Sequence, residues 1–271
     1  LILDLAREQG LLTPETHAAR VRLNNADMGV FRYAAQPTEG LLRRGRRVPG
    51  NLYSGDSDSV LTPQNVGGLF FSREGWQQVA VRAGLRLSDG EFEPLDGLLG
   101  MVGKGSFAQF ADYADQKIDL ERYAIFDALD VAFGGDEHDY QSNHKLYYDP
   151  YRGLFEPVAW SFRGFQHEPW FNLVDHPLLI RLKMTPEYLV RRNRAVFQLI
   201  TGAASLPQIR ARTNRLFEEM EPGLSTDPYW DAYKLLPRVT RFHRFMVRPM
   251  STEKWALAAR AEMHSYNRRV R

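Results

Sequence analysis

Apolar and polar positions at the start of the chain predict a helix followed by a strand pair. The first residues have amphipathic helical spacing that stops at Gly10, and glycine ends helices because it reaches positive φ without strain. Partial alternation then predicts strands at Thr16–Leu23 and at residues 29–34, joined by a turn at residues 24–27. A short amphipathic helix with a basic end is expected at residues 36–47.

The pattern is weaker in the middle of the chain. Residues 51–105 are rich in turn sequences, and only residues 76–87 have the pattern of a short helix. This stretch is therefore expected to be an insertion or a connection between lobes. The glycine-rich sequence GMVGKGSF at its end lacks the spacing of a phosphate-binding loop and is expected to be a flexible turn.

The second half of the chain predicts helices around one small hairpin. A helix is expected at residues 119–133, because apolar side chains recur at mostly helical spacing after the capping residue Asp119. Two short strands at residues 145–148 and 154–160 flank the turn sequence DPYRG. Capping residues and prolines then predict four more helices, at residues 186–201, 205–221, 229–247 and 252–270.

Composition excludes several classes of protein. The chain has 44% hydrophobic and 25% charged residues, and it has no apolar run of the roughly 18 residues that a membrane span needs. The absence of cysteine excludes disulfides, thiolate zinc sites and cysteine nucleophiles. The net charge of +2 is too small to indicate by itself a nucleic acid partner, and none is expected. Nine basic residues against two acidic ones after residue 237 favour a solvated last helix, with binding of an acidic polymer as the alternative.

The densest group of chemically active side chains is the sequence GGDEHDYQSNHKLYYDP at residues 134–150. Carboxylates followed by Asn suit phosphoryl transfer, because an Asp accepts the proton of the substrate hydroxyl while an Asn oxygen coordinates magnesium. A polar turn without chemistry accounts for the same residues. A metal site made by His138 and His144 is disfavoured, because their six-residue step matches none of the common zinc spacings.

Two blocks of the chain resemble the CotH kinase-like family of spore-coat or extracytoplasmic proteins. The first block, LAREQGLLTPETHAARVRLNNADMGVFRYAAQPTEGLLRRG with the later GNLYSGD, is similar to the family's helix, strand pair and inter-lobe hinge. The second block, LDVAFGGDEHDYQSNHKLYYDPYRGLFEPVAW, is similar to its catalytic helix, catalytic loop and hairpin. The sequence TPEYLVRRNRAVFQLI resembles the family's C-lobe helices.

The resemblance implies roles for individual residues. Asp139, or Asp136 if the loop is aligned with a gap, falls on the family's catalytic acid. Asn143 falls on the Asn that binds the metal and nucleotide, and Gln36 lies at the hinge that contacts the nucleotide. This chain has Ser161 where the family has an Asp that holds the metal. A neutral hydroxyl is a poor replacement for a carboxylate as a ligand of magnesium.

Further departures from the family pattern favour a degenerate protein. Arg163 stands where a second acid is common, and Ala35 replaces a Glu that commonly precedes Gln-Pro. The family's phosphate-binding basic residues precede the first helix, and the opening at Leu1 within a helical pattern predicts a missing N-terminal portion. The alternatives are an active ATP-dependent protein kinase in the intact parent, with Asp175 or Glu168 replacing the lost acid, and a non-catalytic structural or binding protein.

The implied fold is α+β and atypical protein-kinase-like, with a partial N-lobe sheet and a mostly helical C-lobe bearing a small β-hairpin. We expect an N-lobe remnant and hinge at residues 1–50, a linker or insertion at 51–117, and a C-lobe at 118–271 with a catalytic-loop-like segment at 134–165. ATP and magnesium are implied if the protein is active, and no cofactor is the alternative. The implied partner is a protein substrate or a coat or envelope component. An extracytoplasmic, envelope or secreted location is implied, with a cytoplasmic one as the alternative.

Overall fold

A computed structural model of the protein describes residues 1–56, 68–79, 92–135, 137–138, 143–162, 164 and 176–228. Its helices are α1 (Ile2–Glu8), α2 (Glu39–Arg44), α3 (Glu93–Lys104), α4 (Phe107–Lys117), α5 (Leu120–Phe133), α6 (Pro177–Lys183), α7 (Pro186–Thr201) and α8 (Leu206–Leu224). Its strands are β1 (Thr16–Leu23), β2 (Ala26–Ala34), β3 (Asn51–Gly55), β4 (Trp76–Val79), β5 (His144–Asp149) and β6 (Leu154–Pro157). This mixture of helices with two small antiparallel sheets agrees with the expected α+β class. Within these ranges, no helix has the length and apolar character needed to cross a membrane.

Strands β1 and β2 form an antiparallel hairpin around the two-residue turn Asn24-Asn25. Both asparagines have a left-handed backbone, with φ of 48° and 64°. A type I′ turn requires this pair of conformations, and asparagine tolerates them better than most residues. The predicted strand pair is confirmed, with a turn of two residues instead of four. Most side chains of both strands are exposed, so the hairpin adds little to the core.

The second sheet has four antiparallel strands in the order β4-β3-β5-β6. Strand β3 pairs with β4 on one side and with β5 on the other, so that Ser54 lies opposite both Gln77 and Lys145. Strands β5 and β6 form the predicted hairpin. The sheet therefore combines this hairpin with two strands from the middle of the chain.

The prediction of a helix at residues 76–87 is wrong at its beginning, because Trp76–Val79 is strand β4. Trp76 is buried and the next residue, Gln77, is exposed, which is the alternation of a half-buried strand. The hydrogen-bonding partner β3 lies about twenty residues earlier in the chain, and strand formation depends on such distant partners. Residues 80–87 lie outside the part of the chain that the structure describes.

The glycine-rich sequence at residues 100–107 is helical, contrary to the expected flexible turn. Its first five residues complete α3, whose apolar side chains Leu95, Leu98 and Val102 are buried at helical spacing. Burial of this apolar face outweighs the low helix propensity of glycine. Ser106 then begins α4 with a capping box, in which its hydroxyl accepts a hydrogen bond from the Gln109 amide.

Helix α5 joins two of the three buried clusters of the core. It confirms the helix predicted at residues 119–133: the Asp119 side chain accepts a hydrogen bond from the Arg122 amide, and Gly134 ends the helix with φ of 60°. Tyr123 packs in a cluster with the four-stranded sheet and helices α3, α4 and α6. Leu129 packs in a second cluster with α1 and α7. The loop and hairpin that follow α5 therefore start from a rigid base.

The last two described helices agree with the predicted pattern except at one end. Helix α7 covers the predicted residues, from Pro186 to Thr201. Helix α8 continues past Pro222 to Leu224, although an end before this proline was predicted. The Ser225 amide donates to the Glu221 carbonyl and closes the final turn, so the proline is accommodated near the helix end. The predicted helices at 229–247 and 252–270 lie outside the described residues.

A buried ionic cluster ties the hairpin to the surrounding elements. The Glu156 side chain on β6 is 0% exposed, and its carboxylate lies 2.8 Å from Arg47, 3.2 Å from Arg122 and 3.2 Å from Arg152. Arg122 and Arg152 also pair with Asp119. Because these arginines come from the segment that follows α2, from α5 and from the hairpin turn, one carboxylate holds three parts of the fold together.

We predict that Glu156→Gln lowers the free energy of unfolding by about 3 kcal/mol or more, because it leaves three arginines around an uncharged buried side chain. Urea unfolding measures this loss. The matched control is Glu121→Gln, which removes an exposed ion pair with Arg191 and should cost less than about 1 kcal/mol. Equal small losses in both variants would contradict a structural role for the cluster.

Candidate functional site

The two ends of the β5–β6 hairpin carry Asn143 and Ser161. Asn143 directly precedes β5, Ser161 follows β6 after a short extension, and both have a left-handed backbone, with φ of 64° and 51°. The Asn143 side-chain amide donates a hydrogen bond to Glu137 Oε2 at 2.9 Å, which orients this amide. For a serine, the left-handed backbone conformation costs about 1 kcal/mol or more relative to the usual ones, so contacts with the surrounding structure must stabilise it.

The side chain of His138 fixes the backbone next to Ser161. It is 2% exposed, with Nδ1 2.8 Å from Asp130 Oδ2 on α5 and Nε2 2.6 Å from the carbonyl oxygen of Trp160. A carboxylate and a carbonyl only accept hydrogen bonds, so both ring nitrogens donate and the ring is an imidazolium. Burial opposes this charge, but the Asp130 carboxylate and the Trp160 carbonyl outweigh it and raise the pKa of His138.

Two further buried histidines lie near His138. The rings of His144 and His176 meet almost at right angles, with centroids 4.1 Å apart. Burial, together with the neighbouring His144, lowers the pKa of His176 well below its ordinary value, so this ring is neutral. Its Nδ1 accepts a hydrogen bond from the Leu179 amide at the beginning of α6. Within this group, His138 is charged and His176 is neutral. Both ring nitrogens of His138 already make hydrogen bonds.

A partly buried lysine lies over the ring of Trp160. Lys145 Nζ donates a hydrogen bond to Ser54 Oγ across the β3–β5 pair and lies 5.2 Å from the centroid of the Trp160 ring. Among the described residues, no carboxylate oxygen lies within 4.0 Å of this ammonium. Burial lowers the pKa of Lys145, and the more distant Asp56 opposes this shift.

The described residues at this site do not fit a magnesium ion. Two described carboxylates lie near these residues, but both already have partners: Glu137 accepts a hydrogen bond from the Asn143 amide, and Asp130 pairs with the His138 imidazolium. The other groups are the Ser161 hydroxyl and the Lys145 ammonium over the Trp160 ring. Magnesium prefers several carboxylate oxygens, and a nearby ammonium repels it. In the same ranges, no three or more His, Asp or Glu side chains are grouped so that they could hold a metal ion.

The structure locates some of the site residues that the sequence predicts. Gln36 is exposed between β2 and α2, and its side chain makes no hydrogen bond to a described residue. Asn143 and Ser161 lie at the two ends of one hairpin, as the resemblance implies. Asp136 and Asp139 lie outside the described residues, as do Arg163 and the alternative acids Asp175 and Glu168, so the predictions for them remain predictions.

The sequence did not predict a role for Lys145 or the contacts of His138. A signal for Lys145 is present in the strand HKLYYD, where a charged residue stands inside a largely buried strand. The contact of His138 with Asp130 leaves no such signal, because eight residues and the end of a helix separate the two. The Trp160 carbonyl is 22 residues from His138, and only the path of the hairpin brings it close.

An open groove of about 790 Å³ lies elsewhere, between β2 and the end of α8. Its lining is mostly apolar, with Val30, Phe31 and Leu224 among the residues that form it. Its acidic residue Asp227 accepts a hydrogen bond from the Val30 amide, so this carboxylate stabilises the strand edge. We therefore place the candidate site at the hairpin ends, where the charged groups converge, and not at this groove.

The chain is similar to a known protein family. A family model described as CotH kinase protein matches residues 1–255 of the chain. The match spans all of the described residues, including both ends of the hairpin. No curated protein matches the chain.

We predict that stability falls on both sides of about pH 6.5 because of His138 and His176. The raised pKa of His138 gives a stabilisation that is present below its unfolded pKa of 6.5 and is lost as the pH rises through the folded value. The lowered pKa of His176 has the opposite effect, because the unfolded chain binds this proton more tightly, so stability is lost as the pH falls below 6.5.

Urea unfolding between about pH 5 and about pH 9 tests this prediction. His138→Gln should cost about 2 kcal/mol near pH 6 and abolish the alkaline decline. His176→Asn keeps an acceptor for the helix cap and should abolish the acidic decline instead. An alkaline decline that persists unchanged in His138→Gln would show that the imidazolium assignment is wrong.

Proposed function

This chain belongs to the CotH kinase protein family, and we propose that it is a degenerate member, a pseudokinase that acts by binding and does not transfer phosphate. The observation that carries this proposal is the neighbourhood of Trp160. Ser161 follows it where the resemblance places a metal-binding Asp, and the Lys145 ammonium lies over its ring. Phosphoryl transfer depends on positioning and on neutralising phosphate charge, and a hydroxyl beside an ammonium supplies no carboxylate ligand for the metal.

We also propose the kinase-like division of the chain into residues 1–50, 51–117 and 118–271. Two features support it. The β1–β2 hairpin forms its own sheet, separate from the four-stranded sheet, as the remnant of an N-lobe would. Helix α5 leads into a loop and a hairpin in the order expected for a catalytic helix, catalytic loop and metal-binding segment. The middle region contributes β3 and β4 to the sheet beside that hairpin.

The alternative is an active protein kinase in the intact parent, with ATP and magnesium as its cofactors. In that case Asp139 or Asp136 would accept the proton of the substrate hydroxyl, and Gln36 would contact the nucleotide at the hinge. The Asn143 amide, oriented by Glu137, would face the nucleotide. The poor fit of the described residues to a divalent cation favours the pseudokinase over this alternative.

The proposed setting is extracytoplasmic, in a cell envelope, in a spore coat or secreted, with a protein of that structure as the partner. The family resemblance supports this setting, and a cytoplasmic location is the alternative. The Arg-rich segment that would bind an acidic polymer lies after residue 228, outside the described residues, and its role remains a prediction.

We predict that the purified protein forms ADP from ATP at least about 100-fold more slowly than the roughly 1 s⁻¹ at the low end for kinases, with Mg²⁺ or Mn²⁺ present. Asp136→Asn and Asp139→Asn should then give the same residual rate as the unmodified protein. Magnesium-dependent turnover that either substitution abolishes would overturn the proposal.

Ser161→Asp tests the cause of the inactivity. If the missing acid is the main defect, this variant gains magnesium-dependent turnover over the unmodified protein, which supports the assignment of a degenerate kinase. Ser54→Asp is the matched control, because it adds a carboxylate beside Lys145 on the neighbouring strand, away from the metal-binding position of the family. An equal gain in both variants would contradict a specific role for residue 161.

A further inference from the structure

We propose that the Lys145 ammonium takes the place of a divalent cation, so that this protein binds the phosphates of a nucleoside triphosphate without magnesium. The inference rests on the proposed function, because the kinase-like family supplies the expectation of a nucleotide. It goes further by naming the group that contacts the phosphates and by removing the metal from the binding reaction.

The Lys145 ammonium has no carboxylate partner among the described residues. Lys145 is partly buried, and its ammonium has three N–H donors. The contacts of Nζ are one hydrogen bond to Ser54 Oγ and the face of the Trp160 ring. Among the described residues, no carboxylate lies within 4.0 Å. A partly buried cation with this coordination is stabilised by an anionic ligand, since burial without a counter-charge is costly.

Trp160 contacts two cationic side chains. The His138 imidazolium donates to the Trp160 carbonyl, while Lys145 lies against the ring of the same residue. Asp130 on α5 neutralises the imidazolium, so of these two cations it is Lys145 that has no carboxylate within 4.0 Å among the described residues. Ser161 follows directly and adds a neutral hydroxyl, which donates to an anion as readily as it accepts.

An ammonium group has the chemistry to bind phosphates but not to catalyse their transfer. A lysine supplies one positive charge and charge-assisted hydrogen bonds to phosphate oxygens, as an isolated cation on a flexible stem. It neutralises part of the triphosphate charge, which is what binding needs. It does not bridge the phosphates and polarise them as a metal ion does, which agrees with binding that is not followed by transfer.

The test is calorimetric titration of the protein with ATP, once with EDTA and once with excess Mg²⁺. We expect affinities that agree within about threefold in the two conditions, because no metal takes part. In EDTA, Lys145→Met should weaken binding by about tenfold or more, whereas Lys145→Arg keeps the charge and should stay within about threefold. Lys104→Met is the matched control, since this lysine is exposed at the end of α3, and it should bind as the unmodified protein does.

A second set of titrations identifies which part of the nucleotide Lys145 contacts and controls for misfolding of the variant. Inorganic tripolyphosphate should compete with ATP. If adenosine competes and tripolyphosphate does not, the assignment of Lys145 to the phosphates is overturned. The double variant Lys145→Met/Ser161→Asp should regain affinity only with Mg²⁺, by about tenfold, because it replaces the ammonium with a metal-binding acid. That recovery also shows that Lys145→Met does not act by unfolding the protein.

The results separate this inference from the proposed function. Binding that requires Mg²⁺, binding in EDTA that survives Lys145→Met, or no nucleotide binding at all would overturn the inference, and each leaves the absence of phosphate transfer standing. Phosphate transfer in the turnover assay overturns the proposed function, whatever the titrations show.

Discussion

The buried carboxylate of Glu156 is the interaction on which the geometry of the hairpin depends. It is fully buried on β6 and is surrounded by Arg47, Arg122 and Arg152. Removing a carboxylate from water costs several kcal/mol unless cations and hydrogen-bond donors replace the lost hydration. The segment that follows α2, the start of α5 and the hairpin turn must therefore assemble together around β6. Arg47 and Arg122 also donate to the Gly10 carbonyl, so the same cluster holds the end of α1.

The candidate site lies at the end of this rigid path. After β6, the Val158 amide donates to the Lys145 carbonyl at 2.9 Å, and the chain then reaches Trp160. The Trp160 carbonyl binds the His138 imidazolium and its ring faces the Lys145 ammonium. Asp130 neutralises the imidazolium, so the Lys145 ammonium supplies the positive charge at the residue that precedes Ser161. An ammonium attracts phosphate and repels a divalent cation, so the same arrangement is consistent with lost catalysis and with retained nucleotide binding.

Elements with local signals were predictable from the sequence. The Asn24-Asn25 turn, the Asp119 cap with the Gly134 stop, and the helix that begins at Pro186 each follow from the preferences of a few neighbouring residues. Strands β3 and β4 were not predictable in this way, because their stability comes from partners far away in the chain.

For the site, the sequence by itself determined which residue types occupy the positions of the family: Asn143 before the hairpin, and Ser161 in place of an acid after it. It also predicts Asp136 or Asp139 as the acid, and both lie outside the described residues. Only the tertiary structure decided that His138 is charged and that Lys145 lies against Trp160. The reason is physical: protonation and counter-charge depend on distances and burial, which arise only when distant parts of the chain pack together.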